Sequence, residues 1–391
     1  MINRQSPTAS FKRTAYNRFK KAVKAVLPAS VVEQLKHCLG YLSSLPTKVL
    51  GRSSILTNLY YGLPASPFAR EHYGVMYGRM RYYQDLQKAQ ATQYLLRRNI
   101  HRLEKGLIMS PRREIFATGY IGETVECFVR SLKASCNVIG DGSELQWAYD
   151  VLSEYFKVTA SHPLIDKARQ KFQEATGSAT IQRTCGTMLK PYKRDLAAPL
   201  SVSYEALLEL SIRRRSVRWY LQKPVSRELI DKAIAVAALS PSACNRQPFE
   251  FRIFDDPELV AQVASIPGGT IGFSHNFPVI AVIIGKLRAY FSERDRHLIY
   301  IDGALAAMSF MYALETLGLS SCPINWPDEA DKEKEMRKLL RLDPDERPIM
   351  LVSLGYPDPD KMVPYSAKKS LDQLRSYNKT LICQQDDSGA I

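Results

Sequence analysis

The chain has 391 residues, of which 45% are hydrophobic and 24% are charged. This balance is typical of a soluble protein with room for two domains, and it argues against a disordered chain. The seven cysteines are an odd number without a Cys-x-x-Cys pair, so they argue against a disulfide framework or a zinc knuckle and suit a reducing compartment. The formal net charge of +15 is unevenly placed, because residues 1–200 hold 30 Lys and Arg against 14 Asp and Glu, whereas residues 201–391 hold 24 against 25.

Residues 1–55 are predicted to form a basic amphipathic arm. Phe11, Tyr16, Phe19 and Val23 recur at helical spacing, with lysines and arginines between them. Such a helix can lie on an anionic membrane surface or bind a polyanion, and the alternative is a solvated, partly disordered arm. No apolar run of signal-peptide type precedes it, so we expect a cytoplasmic protein, with peripheral attachment to the inner face of a membrane as an option.

Residues 56–200 are predicted to form a helical domain of unknown role. Apolar residues at helical spacing lead to a stop at Gly106, and a further helical stretch is expected from Ser153 to Phe172. His101 and Glu104 lie three residues apart on one predicted helical face. Two groups do not complete a metal site, so we expect a solvated helix end and no metal.

The segment from Asp195 to Ser203 is the predicted boundary of a C-terminal domain at 201–391. Shortly after it, Arg214, Ser216 and Arg218 alternate, and alternate side chains of an extended segment share one face. Two guanidinium groups and a hydroxyl on one face could converge on a phosphate dianion. The alternative is that the arginine run simply closes the preceding helix, where positive charge suits the carbonyl end.

A second motif runs from Pro241 to Pro248. Ser242 and Ala243 are small enough to let the backbone approach a planar ligand closely. Asn245 and Gln247 offer amides, whose donors and acceptor can match a ring edge of alternating carbonyl and N–H groups. Such loops also occur without any ligand. Together with the arginine motif, however, this pattern predicts a site for flavin mononucleotide (FMN).

The remaining pattern of the C-terminal half indicates an α+β fold. A helix is predicted over 226–239, strands over 249–254, 278–285 and 348–354, and a long apolar helix over 299–319. Because that helix contains Asp302, Ser309 and Glu315, we expect it to be a core or dimer-interface helix and not a membrane span.

Residues from about 201 to 369 resemble the FMN-dependent nitroreductase family. The resemblance lies in the two motifs above, in Gly318–Asn325 with the sequence GLSSCPIN, and in Leu354–Pro357 with the sequence LGYP. It implies a three-layer α/β sandwich, with a mixed sheet flanked by helices. The predicted helical N-terminal domain precedes this sandwich in the chain. It also implies a homodimer in which the 241–248 turn reaches the flavin across the subunit interface.

The resemblance further implies which residues contact the cofactor. Lys368 and Lys369 stand where the family often has arginine, and Trp326 stands where small residues are frequent, which would narrow access to the flavin edge. The implied FMN-binding residues are Arg214, Arg215, Ser216, Arg218, Pro241, Ser242, Ala243, Asn245, Gln247, Pro323, Ile324, Asn325, Lys368 and Lys369.

We therefore predict an FMN-dependent oxidoreductase that moves electrons from NAD(P)H to an unidentified small-molecule acceptor. The sequence has no Gly-x-Gly-x-x-Gly after a strand, so NAD(P)H is expected to bind transiently and the kinetics to be ping-pong. The sequence assigns no catalytic side chain. Cys244 and Cys322 fall in flavin-side loops, where either could be redox-active, and the alternative that we expect is that both are packing residues.

Two alternatives stay open. One is a flavin-binding scaffold or sensor, without turnover, in a membrane-associated complex. The run His101–Leu107 is similar to one in nitroreductase-like proteins associated with polysaccharide biosynthesis, which suggests that setting. The other alternative is that reduced flavin is itself the substrate, as in flavin-cleaving relatives.

Overall fold

The computed structural model describes residues 53–63, 66–86, 93–182, 188–195, 197 and 199–378. The chain divides into two compact units, residues 1–73 and 74–391. In the first unit, helix α1 (Ser54–Tyr61) is capped by the hydroxyl of Ser53, which accepts from the N–H of Leu56. Helix α2 (Ala69–Asp85) begins in this unit and ends in the second. Most of the predicted basic arm lies outside the described residues.

The second unit begins with a helical part. It consists of helices α3 (Gln93–Leu107), α4 (Ile121–Ala134), α5 (Glu144–Val158) and α6 (Pro163–Gly177), together with a short parallel pair of strands, β1 (Val138–Ile139) and β2 (Thr180–Ile181). The helical stretch predicted from Ser153 to Phe172 is confirmed as parts of two helices, which are separated by a break that begins at Thr159. His162 then caps α6, and Pro163 takes the first helical position, which suits a residue without an N–H group.

The helical part has its own apolar core. Leu103, Val125, Phe128 and Leu152 are fully buried in it, and Phe172 closes it from α6. The predicted domain boundaries at 55 and 200 stay a prediction. Within the second unit the helical part nevertheless packs on the C-terminal half, since α3 lies against the turn at Ala243–Asn245.

Gly106 lets an aromatic ring cross the end of α3. A Cβ atom at this position would lie 2.2 Å from Cε2 of Phe116, and that ring is held edge-on against Tyr155 at a centroid distance of 5.0 Å. The hydroxyl of Tyr155 also donates to the carbonyl of Phe116 over 2.7 Å. The ring therefore has little room to yield.

We expect Gly106→Ala to destabilise the protein by about 1–3 kcal/mol, the usual cost of overpacking a rigid site. Urea denaturation followed by circular dichroism measures the loss. The control is Gly122→Ala in α4, where a Cβ would meet nothing within 4 Å and where alanine favours a helix by up to about 1 kcal/mol. Equal denaturation midpoints for the two variants would contradict the role given to Gly106.

A four-stranded sheet forms the centre of the C-terminal half. Its strands are β3 (Phe249–Phe254), β4 (Val279–Lys286), β5 (Ser320–Asn325) and β6 (Glu346–Gly355), in the order β3-β4-β6-β5. These strands pair antiparallel throughout, and the parallel component is a single bridge between Ser216 and Ser321 at the β5 edge. The predicted α+β class is confirmed.

Helices cover both faces of this sheet. They are α7 (Tyr204–Arg213), α8 (Arg227–Ala237), α9 (Pro257–Ser265), α10 (Leu298–Thr316) and α11 (Ala330–Leu340), followed by a short α12 (Leu371–Leu374). Alternate residues of β4 enter different cores. Ala281 and Ile283 pack with α8 and α10, whereas Val282 packs with α9 and α11. The strand predicted over 278–285 is thus buried on both faces, as expected.

The stretch Glu293–Thr316, which contains α10, is long and apolar enough to cross a membrane by length and composition alone. Half of its most apolar window is buried inside the protein. Phe310 and Leu314 are fully buried against the sheet, while Ile301 and Leu305 are exposed. The expectation of a core helix is confirmed by this packing.

Candidate active site

The arginine segment leaves the end of α7 and runs along the edge of the sheet. Arg214 is the C-terminal cap residue of α7, and the N–H of Val217 donates to the carbonyl of Ser321 in β5 over 3.0 Å. Val217 and Tyr220 point into the core. Arg214, Ser216 and Arg218 are each half-buried, and their placement on one common face stays a prediction. Arg215, which lies between Arg214 and Ser216 in the sequence, is also half-buried.

Tyr220 ties this segment to the central strand β6. Its ring is buried, and its hydroxyl lies 2.7 Å from the carbonyl oxygen of Val217 and 3.0 Å from Oγ of Ser353. A Cβ atom added to Gly355 would come within 3.1 Å of this ring. Burial raises the pKa of the Tyr220 hydroxyl far above its ordinary value, so it remains a neutral donor. The segment is thus fixed by the core behind it.

The three predicted phosphate ligands converge around the thiol of Cys322. Burial raises the pKa of this thiol, while the charge of Arg218, a hydrogen bond with Ser216 and the charge of Arg214 act in the opposite direction. Cys322 itself is 2% exposed. The thiol is therefore a neutral packing residue at the base of a cationic cluster, which we define as Arg214, Ser216 and Arg218.

This cluster has unused hydrogen-bonding capacity. Nε of Arg214 is buried and has no hydrogen-bond partner among the described residues. Arg218 lies over the ring of Phe273, with its guanidinium carbon 5.6 Å from the ring centroid, and it donates to the carbonyl of Ser216 over 3.4 Å. By contrast, the neighbouring Arg213 is exposed and pairs with Glu315 at 3.2 Å. A buried donor without an acceptor is costly unless something binds it.

The second motif forms a tight turn with an unusual backbone. Cys244, Asn245 and Gln247 have φ values of 53°, 51° and 48°, in the left-handed region that residues other than glycine rarely adopt. Each such residue costs of order 1 kcal/mol, and clusters of them occur mostly at functional sites. We refer to residues 241–248 as the left-handed turn.

Side chains from three directions hold this turn. The hydroxyl of Ser242 accepts from the N–H of Gln247 over 3.0 Å. The N–H of Ala243 donates to the carboxylate of Asp302 in α10 over 3.0 Å, and the hydroxyl of Tyr290 donates to the same oxygen over 3.0 Å. Asp302 is 3% exposed, and burial raises the pKa of its carboxyl above the ordinary value.

The sequence did not predict the contact that comes from the helical part. Nε of Arg97 in α3 donates to the carbonyl of Asn245 over 2.7 Å, and Nη2 donates to Oε1 of Gln247 over 2.9 Å. The amide nitrogen of Gln247 donates to the carbonyl of Ala238 over 2.7 Å. Both ends of the Gln247 amide are thus engaged within the chain. Because Arg97 lies 148 positions before Asn245, no local pattern could have revealed this pair.

The other predicted residues are more dispersed. Pro323 and Asn325 are exposed at the end of β5, and Ile324 is buried between them. Lys368 and Lys369 are exposed on an extended segment before α12. Within the described part of the chain, no hydrogen bond or ion pair joins the left-handed turn to the cationic cluster.

Two further expectations can be compared with the structure. Trp326 is buried, and its indole N–H donates to Glu333 over 2.7 Å, so it packs in the core. His101 lies 3.4 Å from Glu104, and Glu104 accepts from the indole of Trp147 over 3.0 Å. The described residues contain no group of three or more side chains able to hold a metal ion.

Comparison with known proteins decides the family. The model of the nitroreductase family matches residues 212–271 and 269–356, which include the arginine segment, the left-handed turn and the strands of the sheet. The C-terminal region is a nitroreductase-family domain. The resemblance predicted from the four motifs is therefore confirmed for this domain, and the association with polysaccharide biosynthesis stays a prediction.

The relatives of the nitroreductase-family domain include reductases and deiodinases. A protein of Archaeoglobus fulgidus, described as a predicted NADH dehydrogenase/NAD(P)H nitroreductase, is 28% identical over 158 residues, which cover 40% of this chain and 88% of that protein. Iodotyrosine deiodinase 1 of Pongo abelii is 24% identical over 197 residues, 42% of this chain and 66% of the deiodinase. An FMN-dependent nitroreductase of Clostridium difficile, a solved structure, is 24% identical with a TM-score of 0.39, over 44% of this chain and 99% of that one.

Proposed function

We propose that the nitroreductase-family domain binds FMN and uses it to move electrons from NAD(P)H to a small-molecule acceptor. The observation that carries the proposal is the buried Nε of Arg214, a donor without an acceptor inside a cluster that also offers Ser216 and Arg218. A phosphate dianion supplies acceptor oxygens for such donors and balances the two positive charges. The residues present therefore fit the anionic end of FMN.

The left-handed turn would address the ring of FMN. Its small residues, Ser242 and Ala243, permit close approach, and Asn245 offers an amide, whereas Gln247 is already engaged by Arg97 and Ala238. We propose that Lys368 and Lys369 complete the phosphate site, as the family resemblance implies. When bound, FMN supplies reversible hydride and electron transfer, which no side chain of the site can perform.

We infer that NAD(P)H and the acceptor occupy the same face in turn. The family relative in Archaeoglobus fulgidus carries NAD(P)H nitroreductase in its name, and the sequence here has no separate dinucleotide motif. A single shared site predicts a ping-pong mechanism. The preferred nucleotide is identified by comparing the rates at which NADH and NADPH reduce the bound FMN.

The proposal is tested by spectroscopy of the purified full-length protein. We expect a flavin absorbance between about 350 and 500 nm that bleaches under anaerobic NADPH or NADH and returns when an acceptor is added. Menadione, a nitroaromatic compound and iodotyrosine serve as acceptors, the last because deiodinases are among the relatives. Double-reciprocal plots should be parallel. A colourless protein that does not take up added FMN would overturn the proposal, and intersecting lines would overturn the ping-pong mechanism.

The alternative is a flavin-binding scaffold or sensor in a membrane-associated complex. The observation that favours it is the excess of positive charge in residues 1–200, outside the nitroreductase-family domain. A protein that binds FMN but does not bleach with either nicotinamide would support this alternative. Loss of flavin with new products in air would instead identify reduced flavin as the substrate. A cytoplasmic location, with peripheral attachment through the basic arm, belongs to the same proposal and is tested by cell fractionation.

We also propose a homodimer formed through the C-terminal half. Helices α7, α8 and α10 pack together, and their outer side exposes apolar residues. These are Leu207, Ile212, Val236, Leu239, Ile301 and Leu305. Exposed apolar side chains in such number are typical of an interface between subunits. Sedimentation equilibrium of the purified protein measures the mass, and a monomer at micromolar concentration would contradict the dimer.

A further inference from the structure

Arg97 is the residue outside the nitroreductase-family domain that contacts the left-handed turn most directly. Its guanidinium group donates to the carbonyl of Asn245 over 2.7 Å and to the side chain of Gln247 over 2.9 Å. These two residues are themselves in the left-handed conformation and enclose Arg246 between them. One planar, forked side chain thus fixes two points of the turn at once, which a lysine could not do.

Arg97 is in turn held from its own side. Its Nη1 lies 3.4 Å from Oε2 of Glu144 in α5, and its guanidinium carbon lies 5.5 Å from the ring centroid of Trp147. The indole of Trp147 donates to Glu104 of α3 over 3.0 Å. The arginine is therefore oriented by α3 and α5 before it meets the turn. The planar guanidinium group therefore contributes a fixed geometry to the turn in addition to its charge.

The backbone of the turn needs such support. Three left-handed residues other than glycine, within four positions, store strain that the surrounding structure must offset. Asp302 and Tyr290 stabilise the start of the turn at Ala243. Its end, at Asn245 and Gln247, is held by Arg97, by the carbonyl of Ala238 and by the hydroxyl of Ser242.

We propose that Arg97 is a positioning residue, through which the helical part holds the left-handed turn in the conformation that the FMN site uses. The effect on FMN rests on the proposed function, whereas the effect on the turn does not. The helical part thereby gains a role in the site that the sequence left unassigned. No substrate contact is attributed to Arg97.

The first test measures how accessible the left-handed turn is to a reagent, in the absence of any ligand. Cys244 lies in the turn and is half-buried, and Cys136 is exposed in the helical part and serves as an internal standard. We expect Arg97→Ala to speed alkylation of Cys244 by iodoacetamide about tenfold, as the loss of charge-assisted hydrogen bonds allows the turn to open. Peptide mass spectrometry follows each cysteine separately, and the rate at Cys136 should not change.

Two further variants provide an alternative in case Arg97→Ala does not fold and a matched control. Arg97→Ala leaves the carboxylate of Glu144 without its cation, and Oε1 of Glu144 is already buried without a partner, so Arg97→Ala/Glu144→Gln is made in case the single variant does not fold. Arg102→Ala is the matched control. It removes an arginine of the same helix that also lies over an aromatic ring, at 3.6 Å from the centroid of Tyr120, but that does not contact the turn.

The second test measures the affinity of each variant for FMN. We expect Arg97→Ala to weaken FMN binding about tenfold, Arg97→Lys to lie between this variant and the wild type, and added guanidinium to restore part of the affinity of Arg97→Ala. Arg102→Ala should bind FMN normally. Rescue by guanidinium separates positioning from a general loss of stability, because a misfolded turn would not respond to it.

The outcomes distinguish the two proposals. If Arg97→Ala and the double variant alkylate Cys244 at the wild-type rate, Arg97 does not position the turn. If the wild type does not bind FMN, the proposed function fails, and the alkylation rates still decide the role of Arg97. Faster alkylation together with unchanged FMN affinity would also overturn the proposal, since the conformation of the turn would then be irrelevant to the site.

Discussion

The double variant Arg214→Ala/Arg218→Ala is expected to purify without FMN. Each substitution removes a guanidinium group from the cationic cluster, and a charge-assisted hydrogen bond contributes roughly 1.5–3 kcal/mol. If both contributions are lost, the dissociation constant rises by about 10²- to 10⁴-fold. Equilibrium titration of the FMN fluorescence with the apoprotein measures this change, and the ratio of flavin to protein absorbance gives the occupancy after purification.

The control for this variant removes the same charge elsewhere. The side chains of Arg213 and Arg227 are 68% and 79% exposed, and they pair with Glu315 and Asp255, whose side chains are 7% and 31% exposed. Arg213→Ala/Arg227→Ala should therefore retain FMN, with a change only from the altered net charge, which salt screens. If the Arg214 and Arg218 variant retains a full complement of FMN, the phosphate site lies elsewhere in the domain.

The second large effect is expected on stability, from Asp345→Ala. Asp345 is fully buried, and its two carboxylate oxygens lie 2.6 Å and 2.7 Å from Nε and Nη2 of Arg288. The same carboxylate accepts from the backbone N–H of Arg288 over 3.1 Å. Removing one partner of a buried pair costs about 3–5 kcal/mol, because the other charge is left without compensation. Urea denaturation of apoprotein measures the free energy of unfolding.

A surface pair of the same chemistry is the control. Arg227 binds Asp255 with two hydrogen bonds of 2.7 Å and 3.0 Å, but its side chain is 79% exposed. Asp255→Ala should therefore cost less than about 1 kcal/mol. Arg288 also donates to Asp343. The measured loss therefore shows how far Asp343 can replace Asp345 as the partner of Arg288. An equal loss of stability in the two variants would show that burial does not set the energy of the Asp345 pair.

The parts of the fold that could be predicted are those with local signals. The burial of β4 on both faces follows from a continuous run of branched apolar residues, and the strand predicted over 249–254 has the observed bounds of β3. The break between α5 and α6 also had a signal, since Pro163 is typical of a first helical position. Apolar periodicity continued on both sides of the break and concealed it.

The candidate site was predictable only in part, for a similar reason. Arg214, Ser216 and Arg218 all interact with Cys322, and their closeness in the sequence made this grouping predictable. The left-handed conformation of Cys244 and Asn245 was not foreseen, since glycine is the usual marker of positive φ. Arg97 could not be foreseen at all, because its contacts depend on how distant helices pack.

The interlocking of α3 with the left-handed turn bears on how this protein is handled in the laboratory. The compact unit that holds the nitroreductase-family domain starts at residue 74, well before the family motifs begin. An excised fragment beginning near Ser201 would leave the carbonyl of Asn245 and the amide of Gln247 without their guanidinium partner. It would also remove Tyr94 from the apolar cluster that contains Leu287 and Tyr290. Fragments trimmed to the family boundaries are therefore poor substitutes for the intact polypeptide.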